Sequence, residues 1–149
     1  MPIRCEIVTQ DRSLFEGPAD IVIVPGSEGE LGILPDHAPL LATLGNGVLR
    51  VRYKGEEEIF TIAGGVLEVR PDVVTVLADV GEQIDEIDLD RAEAAKARAE
   101  EMLMKDPPPD IDEYLAIQAA LRRSKIRLEA VRRHRRIRRP SRPSASTEE

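Results

Sequence analysis

A chain of 149 residues with 42% hydrophobic side chains can bury a real core, while 3% aromatics and no Trp exclude an aromatic platform for stacking bases or caging cations. The net charge of -7 hides a division, because residues 1–90 carry 6 basic and 18 acidic side chains and residues 91–149 carry 15 and 10. Two parts of opposite balance predict two kinds of partner.

The chain opens MPIRCEIV, without an apolar signal segment. Its single cysteine, Cys5, excludes an internal disulfide and fits a reducing compartment, where it serves as a small core residue. The longest uncharged run, residues 37–49, is too short to span a bilayer, so the reading is a soluble protein, free or bound to a membrane machine.

Up to Val80 the hydrophobic period is two, in short runs between turn residues. The runs predict strands over 4–9, 13–16, 20–24, 40–44, 48–53, 57–62, 66–70 and 73–78. Gly45-Asn46-Gly47 and Arg70-Pro71-Asp72 read as tight turns, Lys54-Gly55 as a hairpin tip, and Gly64-Gly65 as a bulge or a close backbone approach. Between the third and fourth strands lies GELGILPDHAPLL, residues 29–41, whose prolines fix φ and bias Leu34 and Ala38 toward extended backbone. It predicts a stiff loop that presents Glu30, Asp36 and His37, anchored by Leu31, Ile33, Leu34, Leu40 and Leu41. Eight short strands at this spacing predict a β-sandwich or flattened barrel.

After Gly81 the period becomes helical. Asp88 is the expected N-cap of a helix whose stripe is Ala92, Ala95, Ala99, Met102 and Leu103, and three prolines at 107–109 stop it. Asp110 and Glu113 then fit a D-x-x-E capping box, opening a second helix with the stripe Ile117, Leu121, Leu128 and Val131. The two form an antiparallel hairpin. Its alanine-rich stripe buries little area, so the hairpin is expected to be held less firmly than the sandwich and to move. From Arg132 the run RRHRRIRRPSRPSASTEE disfavours an isolated helix by mutual repulsion and predicts a disordered end. The domains are therefore 1–86 for the sandwich, 87–136 for the hairpin and 137–149 for a basic Ser/Pro tail.

No catalytic constellation is present. The two histidines, His37 and His134, are too few and too far apart for a His/Cys metal cluster, and nucleophile-elbow, Walker and dinucleotide-binding motifs are missing. The chain reads as a non-enzyme that requires no metal or cofactor.

Three segments in order, ELGILPDHAPLL at 30–41, IAGGVLEV with VTVLAD at 62–79, and IDLDRAEAAKARAEE at 87–101, resemble the epsilon subunit of bacterial F-type ATP synthases, over about residues 3–131. The resemblance implies a β-sandwich followed by a two-helix hairpin in the central stalk, peripheral on the cytoplasmic face of the bacterial cell membrane. It implies a sandwich that binds the gamma subunit and rests on the c-ring, coupling rotation to ATP synthesis. It also implies a hairpin that either folds on the sandwich or extends along gamma toward the catalytic alpha and beta subunits, inhibiting ATP hydrolysis.

By position in these motifs, Glu30 and His37 look like the residues that face the c-ring. Many relatives have Gly where this chain has Asp36. Ile87, Asp88, Arg91 and Ala92 fit the I-D-x-x-R-A pattern with which some members bind ATP as a regulatory ligand, and Glu82, Arg98, Arg123 and Arg127 would assist. Arg91 and Arg98 share one helix face by spacing and Arg123 and Arg127 another, so that antiparallel pairing brings four guanidiniums together as a fork for phosphate oxygens. Arg132, Arg133, Arg135 and Arg136 would meet an acidic loop of the beta subunit. The alternative reading of the eleven basic side chains in 122–143 is a β-sandwich adaptor that binds nucleic acid through them.

Overall fold

The computed structural model describes residues 1–105 and 110–138, with side chains in the second segment as far as Arg133. The proline turn at 106–109 and all but the first two residues of the expected 137–149 tail lie outside the described residues. Seven strands form one hydrogen-bonded sheet in the order β2-β1-β7-β6-β5-β3-β4: β1 Ile3–Val8, β2 Ser13–Ala19, β3 Ile21–Gly26, β4 Gly29–Ile33, β5 Leu40–Tyr53, β6 Glu56–Val69 and β7 Val73–Gln83. A short 3-10 turn, Ile84–Glu86, leads to α1 Leu89–Leu103 and α2 Ile111–Arg138. The pairings are antiparallel apart from β1 with β7.

The sheet folds over on itself because β5 and β6 change their inward face halfway along. In β5 the inward residues are Leu44 on one side of the change and Leu49 and Val51 on the other, and in β6 they are Phe60 and Ile62, then Leu67 and Val69. An even parity becomes odd, which a strictly alternating strand cannot do. The change falls at the same level of the ladder in both strands, where Leu44 pairs with Gly65 and Asn46 with Ala63. Gly45-Asn46-Gly47 is therefore a bend within β5, not the turn its composition predicts. Likewise the strands expected at 57–62 and 66–70 are one strand. Gly64 and Gly65 take φ of 75° and 138°, and a Cβ on Gly65 would lie 2.2 Å from the Leu77 carbonyl oxygen. The expected close backbone approach is present.

One core results, to which all seven strands contribute, with the Phe15 and Phe60 rings edge to face at 5.9 Å. Cys5 is fully buried in it, and burial pushes its thiol pKa up to about 12, helped by the nearby Glu6 carboxylate. Thiol reagents at neutral pH will accordingly label Cys5 only at the rate at which the sandwich opens, and an alkylation rate in native buffer equal to that in denaturant would contradict this placement.

The segment expected to be a loop over 29–41 is shorter than that. Gly29–Ile33 pairs with β3, with Val22 opposite Ile33 and Gly26 opposite Gly29, so its first half is a strand. The remaining turn places Pro35 second and Asp36 third, with Asp36 at φ 61° and the His37 N–H donating to the Leu34 carbonyl at 3.2 Å. This is the pattern of a type II turn, which favours Gly at the third position. Ile33 is buried and Leu31 and Leu40 pack on the core, whereas Leu34 and Leu41 are 56% and 73% exposed and do not anchor it. Lys54 and Gly55, both at positive φ, form the expected hairpin tip.

Both helix starts are capped as expected: Asp88 accepts from the Arg91 N–H at 3.1 Å and Asp110 from the Glu113 N–H at 2.9 Å. Ala92 and Ala99 of the α1 stripe are buried, but Met102 is exposed. Of the α2 stripe, Ile117, Leu128 and Val131 are buried. Helix α2 continues to Arg138, into the arginine run. Two effects offset the repulsion there: Glu129 pairs with Arg133 at 3.0 Å one turn away, and cations suit a helix C-terminus. The hairpin docks on the sandwich through a small second cluster of Ile59, Ile84, Ala130 and Val131, flanked by Val48, Ile87 and Leu89.

Candidate functional site

Where β7 passes into α1, the end of the sheet, the 3-10 turn and both helices enclose an open cavity of about 390 Å³. The elements supply its charges in an order that follows from the chain. Glu82 is the penultimate residue of β7, Glu86 ends the 3-10 turn, Asp88 caps α1, Arg91 and Arg98 lie two helical turns apart on α1, and Arg127 reaches in from α2. Five of the six residues expected to hold a nucleotide, Glu82, Asp88, Arg91, Arg98 and Arg127, thus line one cavity. Arg123 does not. It lines a small adjoining space of about 10 Å³ at the seam of α2 with the sheet, which shares Glu82 and Arg127 with the main cavity.

The charges are not equivalent. The Arg127 Nε–H donates to Glu82 at 2.5 Å, a half-buried pair that ties α2 to β7. Asp88 spends one oxygen on the helix cap. Glu86 accepts from both terminal nitrogens of Arg12, at 2.8 and 2.5 Å, and that guanidinium lowers the Glu86 pKa while the carboxylate raises that of Arg12. Arg91 and Arg98 have no carboxylate partner among the described residues, so the pairs they could make with Asp88 and Glu101 are not formed. The cavity therefore presents two unengaged guanidiniums.

Sequence spacing did not point to Arg12 or Glu86. Arg12 lies in the turn between β1 and β2, 74 positions before its partner, and only the fold joins them.

Elsewhere, Glu30 accepts from Arg50 at 3.1 Å, and the His37 Nδ1–H donates to the Ala38 carbonyl at 2.7 Å. Arg132 and Arg133 are exposed on the last described turns of α2, and the side chains of Arg135 and Arg136 lie outside the described residues. On the outer face of the sheet, Val8, Leu77, Val66 and Thr43 stand side by side across β1, β7, β6 and β5. Leu77 and Val66 are exposed there, with Leu41 two residues from Thr43, so the sandwich carries an apolar strip on its outside. Among the described residues no group of three or more His, Cys, Asp or Glu could hold a metal ion, and no helix is long and apolar enough to cross a membrane.

Comparison with protein families matches residues 2–84 to the ATP synthase delta/epsilon chain β-sandwich domain and residues 85–132 to the ATP synthase delta/epsilon chain long α-helix domain. The chain belongs to the ATP synthase delta/epsilon family. Within it, the chain is 48% identical to an ATP synthase epsilon chain of Pelotomaculum thermopropionicum over 102 residues, 68% of this chain and 76% of that one. It is 44% identical to an ATP synthase epsilon chain of Dehalococcoides mccartyi over 135 residues, 89% and 94% of the two chains. In fold it is similar to a chain of the Euglena gracilis mitochondrial ATP synthase OSCP/F1/c-ring assembly, with a TM-score of 0.65, 24% identity, and coverage of 91% of this chain and 81% of that one. The expectation drawn from the three sequence motifs, an epsilon subunit of the F-type ATP synthase central stalk, holds. Nothing in these relatives supports the nucleic-acid adaptor.

Proposed function

We propose that this member of the delta/epsilon family is a non-catalytic rotor subunit whose hairpin acts as a brake on ATP hydrolysis, and that ATP is the regulatory ligand which keeps the brake folded away. The observation that carries the proposal is the cavity around Arg91 and Arg98. Its walls come from β7, the 3-10 turn and both helices, so it exists only while the hairpin lies on the sandwich. A polyanion bound there stabilises the folded form by its differential affinity and draws the hairpin away from the catalytic subunits. Phosphate oxygens suit the two open guanidinium forks, and Arg127 joins them by sharing its bond to Glu82.

The remaining surfaces take their places around this switch. The apolar strip of Leu41, Val66 and Leu77 is the docking face for gamma, and Glu30 and His37 meet the polar loops of the c-ring, on the cytoplasmic side of the bacterial cell membrane. The arginines that end α2, from Arg132 onward, supply the contact with the acidic loop of beta once the hairpin extends.

The test is ATP hydrolysis by the cognate catalytic complex lacking this subunit, before and after adding the full chain or a version ending at Ile87. We expect both to bind, only the full chain to suppress hydrolysis, and millimolar ATP to relieve the suppression. Equal suppression by the two versions would remove the brake from the helices, and isothermal titration without saturation would remove ATP from the cavity. A Leu77→Glu change should weaken assembly with gamma by tenfold or more, because it sets a charge in the middle of the apolar strip.

A further inference from the structure

We propose that Arg12, which belongs to no nucleotide motif, is a positioning residue for the anion cavity: it holds the Glu86 carboxylate out of play and so gives the cavity its positive character. The inference rests on the nucleotide reading of the cavity and goes beyond it in naming the residue that sets its charge.

The argument is one of charge balance. The cavity lining contains three carboxylates, Glu82, Glu86 and Asp88, and three guanidiniums, Arg91, Arg98 and Arg127. Left to themselves these sum to zero, a poor receptor for a triphosphate. Arg127 is matched by Glu82. Glu86 would then stand as an uncompensated carboxylate in the lining, within the field of any phosphate that approaches Arg91 and Arg98. Arg12 prevents this from outside the lining. Its two terminal nitrogens take both oxygens of Glu86, a fork-to-fork contact that neutralises the charge and also fixes the direction in which the carboxylate points. With Arg12 counted, the site carries a surplus of one positive charge, which is what Arg91 and Arg98 leave once Asp88 is set against them.

The same bond has a geometric consequence. Glu86 is the last residue of the 3-10 turn, two positions before the Asp88 cap, and Arg12 fastens it to the turn between β1 and β2. The start of α1 is thereby registered against the rigid sheet. The tether is lost with either partner and so counts equally in all three variants, whereas the charge effect needs Glu86 and distinguishes them.

Isothermal titration of the full chain with ATP tests this, using Arg12→Gln, Glu86→Gln and the double change. We expect R12Q to weaken binding about tenfold, E86Q to tighten it a few-fold, and the double variant to return within about twofold of wild type. Loss of affinity in R12Q that the double variant does not restore would overturn the proposal, since a merely structural role for Arg12 is not rescued by deleting its partner. So would an R12Q affinity equal to wild type. Circular dichroism without ATP should show R12Q folded with native helix content, and loss of that content would assign the effect to folding and also overturn the proposal. If wild type itself fails to saturate, the nucleotide reading falls and takes this one with it, whereas saturation by wild type with unchanged R12Q removes this inference alone.

Discussion

Gly65→Ala should destabilise the sandwich by about 3 to 5 kcal/mol, enough to leave much of a marginally stable domain unfolded. Two causes act together. The residue holds φ at 138°, where an L side chain is strained, and the new methyl would lie 2.2 Å from the Leu77 carbonyl oxygen and 2.9 Å from the Ala78 Cα, both backbone atoms that cannot swing aside. Gly29 separates these causes, since it has nearly the same φ, 136°, with nothing within 4 Å of its would-be Cβ. Gly29→Ala should therefore cost only the strain, about 1 to 2 kcal/mol. Urea denaturation of both variants reads the difference as the cost of the clash, and equal losses would show that β6 and β7 do not approach as closely as described.

Ala130→Glu should free the hairpin while leaving the sandwich folded. Ala130 is 1% exposed and packs with Ile59, Ile84 and Val131 at the seam between α2 and the sheet. An unpaired carboxylate there costs several kcal/mol, more than this small cluster returns, and the cost is avoided by undocking. The main core shares none of these four residues. Hydrogen exchange should then show α2 losing protection while β1, β6 and β7 keep theirs. On the proposed reading, the variant loses ATP binding and suppresses hydrolysis more strongly than wild type. Retained protection of α2 would mean that the seam yields locally and does not hold the hairpin.

What the amino-acid order revealed and what it hid divide along the range of the interaction. The helix caps at Asp88 and Asp110 and the hairpin tip at Lys54-Gly55 are local, and each was legible. Gly45-Asn46-Gly47 was not, because glycine permits a turn and a strand bend equally, and the choice is made by β6, which bends at its own glycines at the same level of the ladder. The strand Gly29–Ile33 was obscured by neighbouring prolines and is an edge strand held by β3 alone. Among the site residues, those within one helix were readable by spacing. The meeting of Glu82 with Arg127 depended on how the hairpin folds back, as did the separation of Arg123 from the main cavity. Arg12 lay beyond any pattern.

The parallel pairing of β1 with β7 has a consequence for synthesis. Arg4 finds its partner in Val73, and the pairs continue to Val8 with Leu77, so the first strand to leave the ribosome waits for the last one of the sheet. Until then β1 has only β2 beside it, and its other edge is bare. Such non-local closure is slow compared with hairpin formation, and it exposes a template for pairing with other nascent chains. The sheet can close only once residues 73–83 have emerged, at which moment the segment that follows is the hairpin. The order of appearance thus makes a finished sandwich available before there is any helix to dock on it.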